Sequence, residues 1–212
     1  MNIPRCFYRS FLYLLVSFCF VANTHAQNWD INTLKSINPD NPDSKIWRAT
    51  SSSAYALGFG IPVGLFVVGE LSKDQQTVHN AYELAGSVII STLLTQGLKA
   101  VIKRDRPFGK YPNDVHPYKA TDDHKSMPSG HTSLAFSTAT SLALEYKKWY
   151  ITVPALAWAS GVGYSRMYLG AHYPTDVITG AAVGAGSAFL SHWLAKKLFQ
   201  KKQVINKTAY LQ

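Results

Sequence analysis

Apolar and polar residues fall in long blocks along this chain. The first apolar run, Ser10–Ala22, follows Arg5 and Arg9 and ends near the small-residue triplet Thr24-His25-Ala26. That order reads as a secretory signal peptide over residues 1–26, with an uncleaved first transmembrane helix as the other reading. In both cases the chain after Ala26 starts outside the cytoplasm. Residues 27–53 form a polar periplasmic segment. Within it Trp29, Ile31, Leu34 and Ile37 recur at helical spacing, which predicts a short amphipathic helix on the membrane surface. The cluster Asn38-Pro39-Asp40-Asn41-Pro42-Asp43 predicts a turn.

Residues 54–195 hold the apolar blocks. Ala54–Leu71 is apolar apart from Glu70 and long enough to span a bilayer. After a short polar link, Ser72–Asn80, a helix is expected over Ala81–Arg106, stopped by Pro107. Phe108–Met127 shows no periodicity and is read as a loop. Pro128-Ser129-Gly130-His131-Thr132 then opens a helix over Ser133–Tyr146. Lys147 and Lys148 form a tight link to Trp149–Tyr164, and Val177–Ala195 is the last apolar helix before a basic tail, residues 196–212. The fold class is all-α, a bundle of about five transmembrane helices after the signal peptide, or six if the N-terminal segment stays attached.

Composition agrees with this pattern. Of 212 residues, 47% are hydrophobic and only 16% charged, below the usual quarter for soluble proteins. The mean hydropathy of −0.05 is low for a membrane protein because the polar segments are concentrated between the apolar blocks. Net charge is +9; signal cleavage would leave 19 basic against 12 acidic residues, or +7. The basic residues sit at the ends of apolar segments, which suits lipid headgroups or phosphate and not nucleic acid. Both cysteines, Cys6 and Cys19, lie in the signal segment, so the mature chain carries no thiol chemistry. Threading the five spans from outside puts Lys147, Lys148 and the tail in the cytoplasm.

The same threading brings three polar motifs to the outer side. Lys99 and Arg106 are seven residues apart, two turns on one helix face. Ser129 and Gly130 open a helix whose backbone N–H groups would hold an anion, with His131 in its first turn. Ser165-Arg166-Met167-Tyr168-Leu169-Gly170-Ala171-His172-Tyr173-Pro174-Thr175-Asp176 separates two apolar runs. In it Asp176, four residues on, would orient the ring of a helix-end His172 facing water. Pro174 suits the first turn of the helix that follows. The set suits metal-independent phosphoryl transfer. Lys99, Arg106 and Arg166 would neutralise phosphate oxygens, His172 would attack phosphorus, and His131 would protonate the departing oxygen and then activate water. His116, Asp122, Asp123 and His124 have the residue types for a metal, but not the spacing.

At these residues the chain resembles the type 2 phosphatidic acid phosphatase family. Its three motifs appear in order: Lys99 with Arg106-Pro107, Pro128-Ser129-Gly130-His131, and Ser165-Arg166 with His172 and Asp176. The resemblance covers roughly Leu84–Leu194. It implies a helical core, a histidine nucleophile, a histidine acid, phosphate binding by Ser129 and Gly130, and neither metal nor cofactor. Apolar helices around each motif resemble the membrane branch, which acts on phosphorylated lipids. The expected site is the outer face of a bacterial inner membrane. Soluble periplasmic acid phosphatases share the motifs but call for amphipathic helices; vanadium haloperoxidases share them in larger chains.

Overall fold

The computed structural model describes residues 26–120 and 125–209, with side chains over residues 29–120 and 125–198. The signal-peptide expectation, both cysteines, and Asp122, Asp123 and His124 lie outside the described residues. All regular structure among the described residues is helical: α1 Ala26–Ile37, α2 Lys45–Ser72, α3 Gln75–Ile102, the short α4 Pro107–Lys110, α5 Gly130–Tyr146, α6 Trp149–Tyr168 and α7 Pro174–Ala209.

Helices α2, α3 and α7 are long and apolar enough to cross a membrane. The sequence pattern located them well but not their ends. Helix α2 starts at Lys45, nine residues before the apolar run, because Ser44 is in extended conformation and its hydroxyl caps Trp47 N–H. A two-residue turn joins α2 to α3. Lys73 closes α2 in the left-handed region, and Asp74 accepts from Gln76 N–H at 3.0 Å to start α3. Gly69 lets the two helices approach there: a Cβ on it would lie 2.7 Å from Val78 N.

Helix α5 is the central rod, packed on α2, α3, α6 and α7. Its core contacts are small side chains: Ala54, Ala135, Ala139, Ala159 and Val162 form one cluster across α2, α5 and α6. Lipid is as apolar as leucine, so close backbone approach and internal hydrogen bonds hold such bundles. Ser133 Oγ lies 2.6 Å from Ser91 Oγ and accepts from Thr95 Oγ1 at 2.8 Å, tying α5 to α3. The outward faces are strongly apolar, with Leu57, Val63, Val67, Ile89 and Leu93 all exposed.

Two expectations need correction. Helix α1 does not offer its apolar side to lipid. Ile31 and Leu34 are buried against Val115 and Tyr173, while Trp29 is half exposed, because the segment before α7 supplies an apolar surface of its own. Helix α3 ends at Ile102, not at Arg106. Lys103 takes a left-handed conformation and Pro107 holds Arg106 extended, at φ −70° and ψ 152°. Lys99 and Arg106 therefore come to the same end of the bundle because the chain turns, and not because they share a helix face.

Candidate active site

Four helix ends meet on the side of the bundle away from Lys147 and Lys148: the C-termini of α3 and α6 and the N-termini of α5 and α7. There the segment 111–120 is fastened to the chain before α7. Asn38 donates to the carbonyls of His116 and Tyr168, both at 2.9 Å, and Tyr118 N–H donates to Leu169 O. Gly170 allows this approach, with φ +65° and no room for a Cβ, which would lie 2.6 Å from His116 O. His116 Nε2 lies 3.5 Å from Asp40 Oδ1.

These elements enclose a cavity of about 710 Å³. Arg106, Arg166, His131, Lys45, Arg48 and Lys119 contribute to its wall, and among the described residues no carboxylate does. Arg166 Nη1 donates to Ser51 Oγ at 2.8 Å, while its Nε is buried without a hydrogen-bond partner among the described residues. A buried guanidinium N–H beside a basic cavity is suited to donate to an anion. Arg106 donates to Ala171 O at 3.0 Å and thereby braces the residue before His172. The ring of Tyr55 meets His131 edge-on at 4.6 Å.

His172 differs from expectation: it is buried, 2% exposed, and lies one residue behind the cavity wall at Ala171. It sits in the segment between α6 and α7, where the chain turns inward. Its Nδ1 is 3.5 Å from Asp176 Oδ2 and 3.5 Å from Ser126 Oγ. This is the outer limit of a hydrogen bond, common in sites that tighten with substrate. Asp176, fully buried, accepts from Ser126 Oγ, Tyr173 N–H at 3.0 Å and Arg104 Nη1 at 2.7 Å. Burial pushes the His172 imidazole down to about 3, Arg166 and Arg106 press the same way, and Asp176 opposes them in part. At neutral pH the ring is uncharged, so Nε2 keeps its lone pair when Nδ1–H faces Asp176.

The folded pKa of His172 lies below the unfolded value of 6.5, so between those values the unfolded chain binds the extra proton and stability falls with pH. Near about pH 5 the loss from His172 alone is roughly 2 kcal/mol. Thermal unfolding in detergent from pH 7 to 4 should show a shallower decline for His172→Gln than for wild type; equal slopes would contradict it.

The structure brings Arg106, His131, Arg166, His172 and Asp176 to one place but treats the other expected residues differently. Lys99 is buried, its ammonium engaged by the carbonyls of Lys125 and, at 3.4 Å, Ser126. Ser129 N–H is committed to Asp176 O at 2.9 Å, and its Oγ accepts from Thr132 Oγ1. The first helical N–H groups, from Gly130 onward, are the backbone donors that this helix start leaves without an intrahelical acceptor. Sequence reasoning missed Ser126, Ser51, Lys45 and Arg48, whose roles come from long-range contacts. Arg104 was not singled out either; it turns inward, to Asp30 and Asp176.

Residues 80–200 match the PAP2 superfamily. The bacitracin transport permease protein BcrC of Bacillus licheniformis is 36% identical over 112 residues, 52% of this chain and 53% of that protein. An undecaprenyl-diphosphatase of Sulfolobus acidocaldarius is 34% identical over 105 residues, 50% of each chain. The chain thus spans about half the length of these curated relatives. The crystal structure of a transmembrane PAP2 type phosphatidylglycerolphosphate phosphatase from Bacillus subtilis superposes with a TM-score of 0.64. It is 23% identical, covers 88% of this chain and 94% of its own, and speaks to the fold alone.

Proposed function

Because the chain belongs to the PAP2 superfamily, we propose that it is a metal-independent phosphatase acting on a membrane lipid phosphate or diphosphate through a phosphohistidine. The observation that carries this reading is the cavity walled by Arg106, Arg166 and His131, with His172 one residue behind its wall at Ala171 and beside Asp176. Cations there would neutralise the phosphate oxygens, which leaves no charge for a divalent ion to offset.

The steps use this chain's own groups. His172 Nε2 attacks phosphorus as the bond to the leaving oxygen breaks, and the N–P bond makes the ring cationic. Its Nδ1–H turns to Asp176, whose charge steadies the cation. Protonated His131 gives its proton to the leaving oxygen, then as neutral imidazole takes one from the water that cleaves the N–P bond. Phosphate leaves and His172 is neutral again. Helix N–H groups from Gly130 onward and the arginines hold the oxygens; Lys99 fixes the segment carrying Ser126.

Lipid is favoured as substrate by a route between α2 and α3. An apolar groove of about 330 Å³ lies between Val63 and Phe66 on α2 and Tyr82, Ala85 and Ile89 on α3. A small recess lined by Tyr55, Phe59 and Thr95 adjoins it through Phe59, and Tyr55 touches His131. Acyl or prenyl tails in this groove would set a headgroup at the cavity. With five spans after residue 26, the cavity faces the periplasm from the inner membrane, and Lys147 and Lys148 face the cytoplasm.

Phosphate release by purified protein in detergent with chelator present tests the reading. Long-chain lipid phosphates should react with higher kcat/KM than short-chain soluble analogues. Loss of turnover with chelator and recovery with Mg²⁺, or preference for the soluble analogue, would overturn it. A cysteine placed at Lys119 should be labelled from outside spheroplasts, and one at Lys147 only after lysis.

A further inference from the structure

We propose that Arg104 is a positioning residue for the His172 nucleophile, and that α1 supplies its outer anchor through Asp30. The inference rests on His172 being the nucleophile. Arg104 bridges two buried carboxylates from opposite ends of the chain. Its Nη2 donates to Asp30 Oδ2 at 2.6 Å, and its Nη1 to Asp176 Oδ1 at 2.7 Å and Thr175 Oγ1 at 2.6 Å. Asp30 is 2% exposed and Asp176 fully buried. The guanidinium also lies over the Tyr173 ring, 4.0 Å from its centroid.

This arrangement governs the direction of one oxygen. Asp176 has two: Oδ1 is clamped by Arg104, and Oδ2 faces Nδ1 of His172. A planar fork that holds Oδ1 fixes the plane of the carboxylate and with it the aim of Oδ2. Asp30 is needed on the far side for two reasons. Its Oδ1 accepts from Thr175 N–H at 2.9 Å, capping the first turn of α7, on which Asp176 stands. Its charge also balances Arg104. Without it the guanidinium would draw the Asp176 charge away from the imidazolium that forms when His172 bonds to phosphorus. Ile31 and Leu34, buried on the same helix against Val115 and Tyr173, hold Asp30 in place.

An ordinary structural ion pair would affect stability alone; a positioning pair affects kcat in the folded enzyme. The test uses full-length protein in detergent with a long-chain lipid phosphate. His172→Asn is the control for the parent reading: if it turns over normally, that reading fails by itself. With that control inactive, Asp30→Asn and Arg104→Lys are expected to lower kcat about 10- to 100-fold while KM stays within about threefold. Lysine keeps the charge of Arg104 but cannot fork between two carboxylates. Asp30→Glu, which keeps the charge with a longer reach, should recover part of the loss and lie about three- to tenfold below wild type. This variant decides the matter if the others do not fold. Wild-type kcat in the folded variants, or a raised KM with kcat preserved, would overturn the proposal.

Discussion

Replacing His172 with asparagine is expected to lower turnover by at least about 10⁴-fold, the scale of losing a nucleophile, while the bundle stays folded. Asparagine is the informative replacement because His172 is buried. Alanine would leave a void beside Asp176 and confuse a folding defect with a chemical one. The asparagine amide fills most of the space and can still donate to Asp176 Oδ2, but it offers no lone pair for attack at phosphorus. Phosphate release on a long-chain lipid phosphate, together with the thermal midpoint of the same preparation, checks both halves. Turnover within tenfold of wild type in a folded His172→Asn enzyme would remove His172 from the nucleophile role. His131 gives the companion result. His131→Ala should cost far less on an aryl phosphate with an acidic leaving group than on a lipid phosphate, because only the latter's leaving oxygen needs a proton. Equal losses would argue against an acid role.

The second large effect concerns stability. Gly184→Ala is expected to destabilise the protein by about 3 kcal/mol, at the upper end for overpacking and despite the better helix propensity of alanine. A Cβ at Gly184 would lie 2.2 Å from Ser133 O and 2.8 Å from Ser137 N. These are backbone atoms of α5, which α2, α3 and α6 press from its other sides, so α5 has nowhere to retreat. The seam is also the joint that sets His131, at the start of α5, against His172, just before α7. The same substitution should therefore depress activity in whatever protein still folds. Gly186→Ala on the same helix is the internal control: a Cβ there meets nothing within 4 Å, so its stability should stay level or rise by up to about 1 kcal/mol. Thermal unfolding of both variants in one detergent separates the two. A Gly184→Ala midpoint equal to that of Gly186→Ala would mean that the seam is looser than the structure shows.

The Lys99–Arg106 pair shows how a right association can come from a wrong geometry. Periodicity put both on one face of a continuous helix, but α3 ends at Ile102 and Arg106 is extended before Pro107. The two reach the site region because Lys103 turns the chain, and Lys99 then points to loop carbonyls while Arg106 lines the cavity. Helix α1 failed in a different way. Its spacing identified an amphipathic helix correctly, yet spacing says only that one side is apolar. Whether Ile31 and Leu34 meet lipid or protein depends on Val115 and Tyr173, some 80 and 140 residues further along the chain.

What the sequence by itself determined is local in origin. Runs of apolar residues, broken by Lys147-Lys148 and started by Pro174, decide where helices lie, because helix formation depends on neighbours a few residues apart. The motif residues and the end of the bundle to which they come could be read from that order of helices. Only the tertiary structure decided which charge each group faces. Asp30, Arg104 and Asp176 are separated by more than 70 residues at each step, and nothing near any of them names its partner. Burial was likewise decided by packing. His172 looked like a helix-end residue open to water, and the docking of the segment before α7 against α1 and the 111–120 segment removed it from solvent. A buried charge needs a partner, and partners come from whichever helices the bundle brings together.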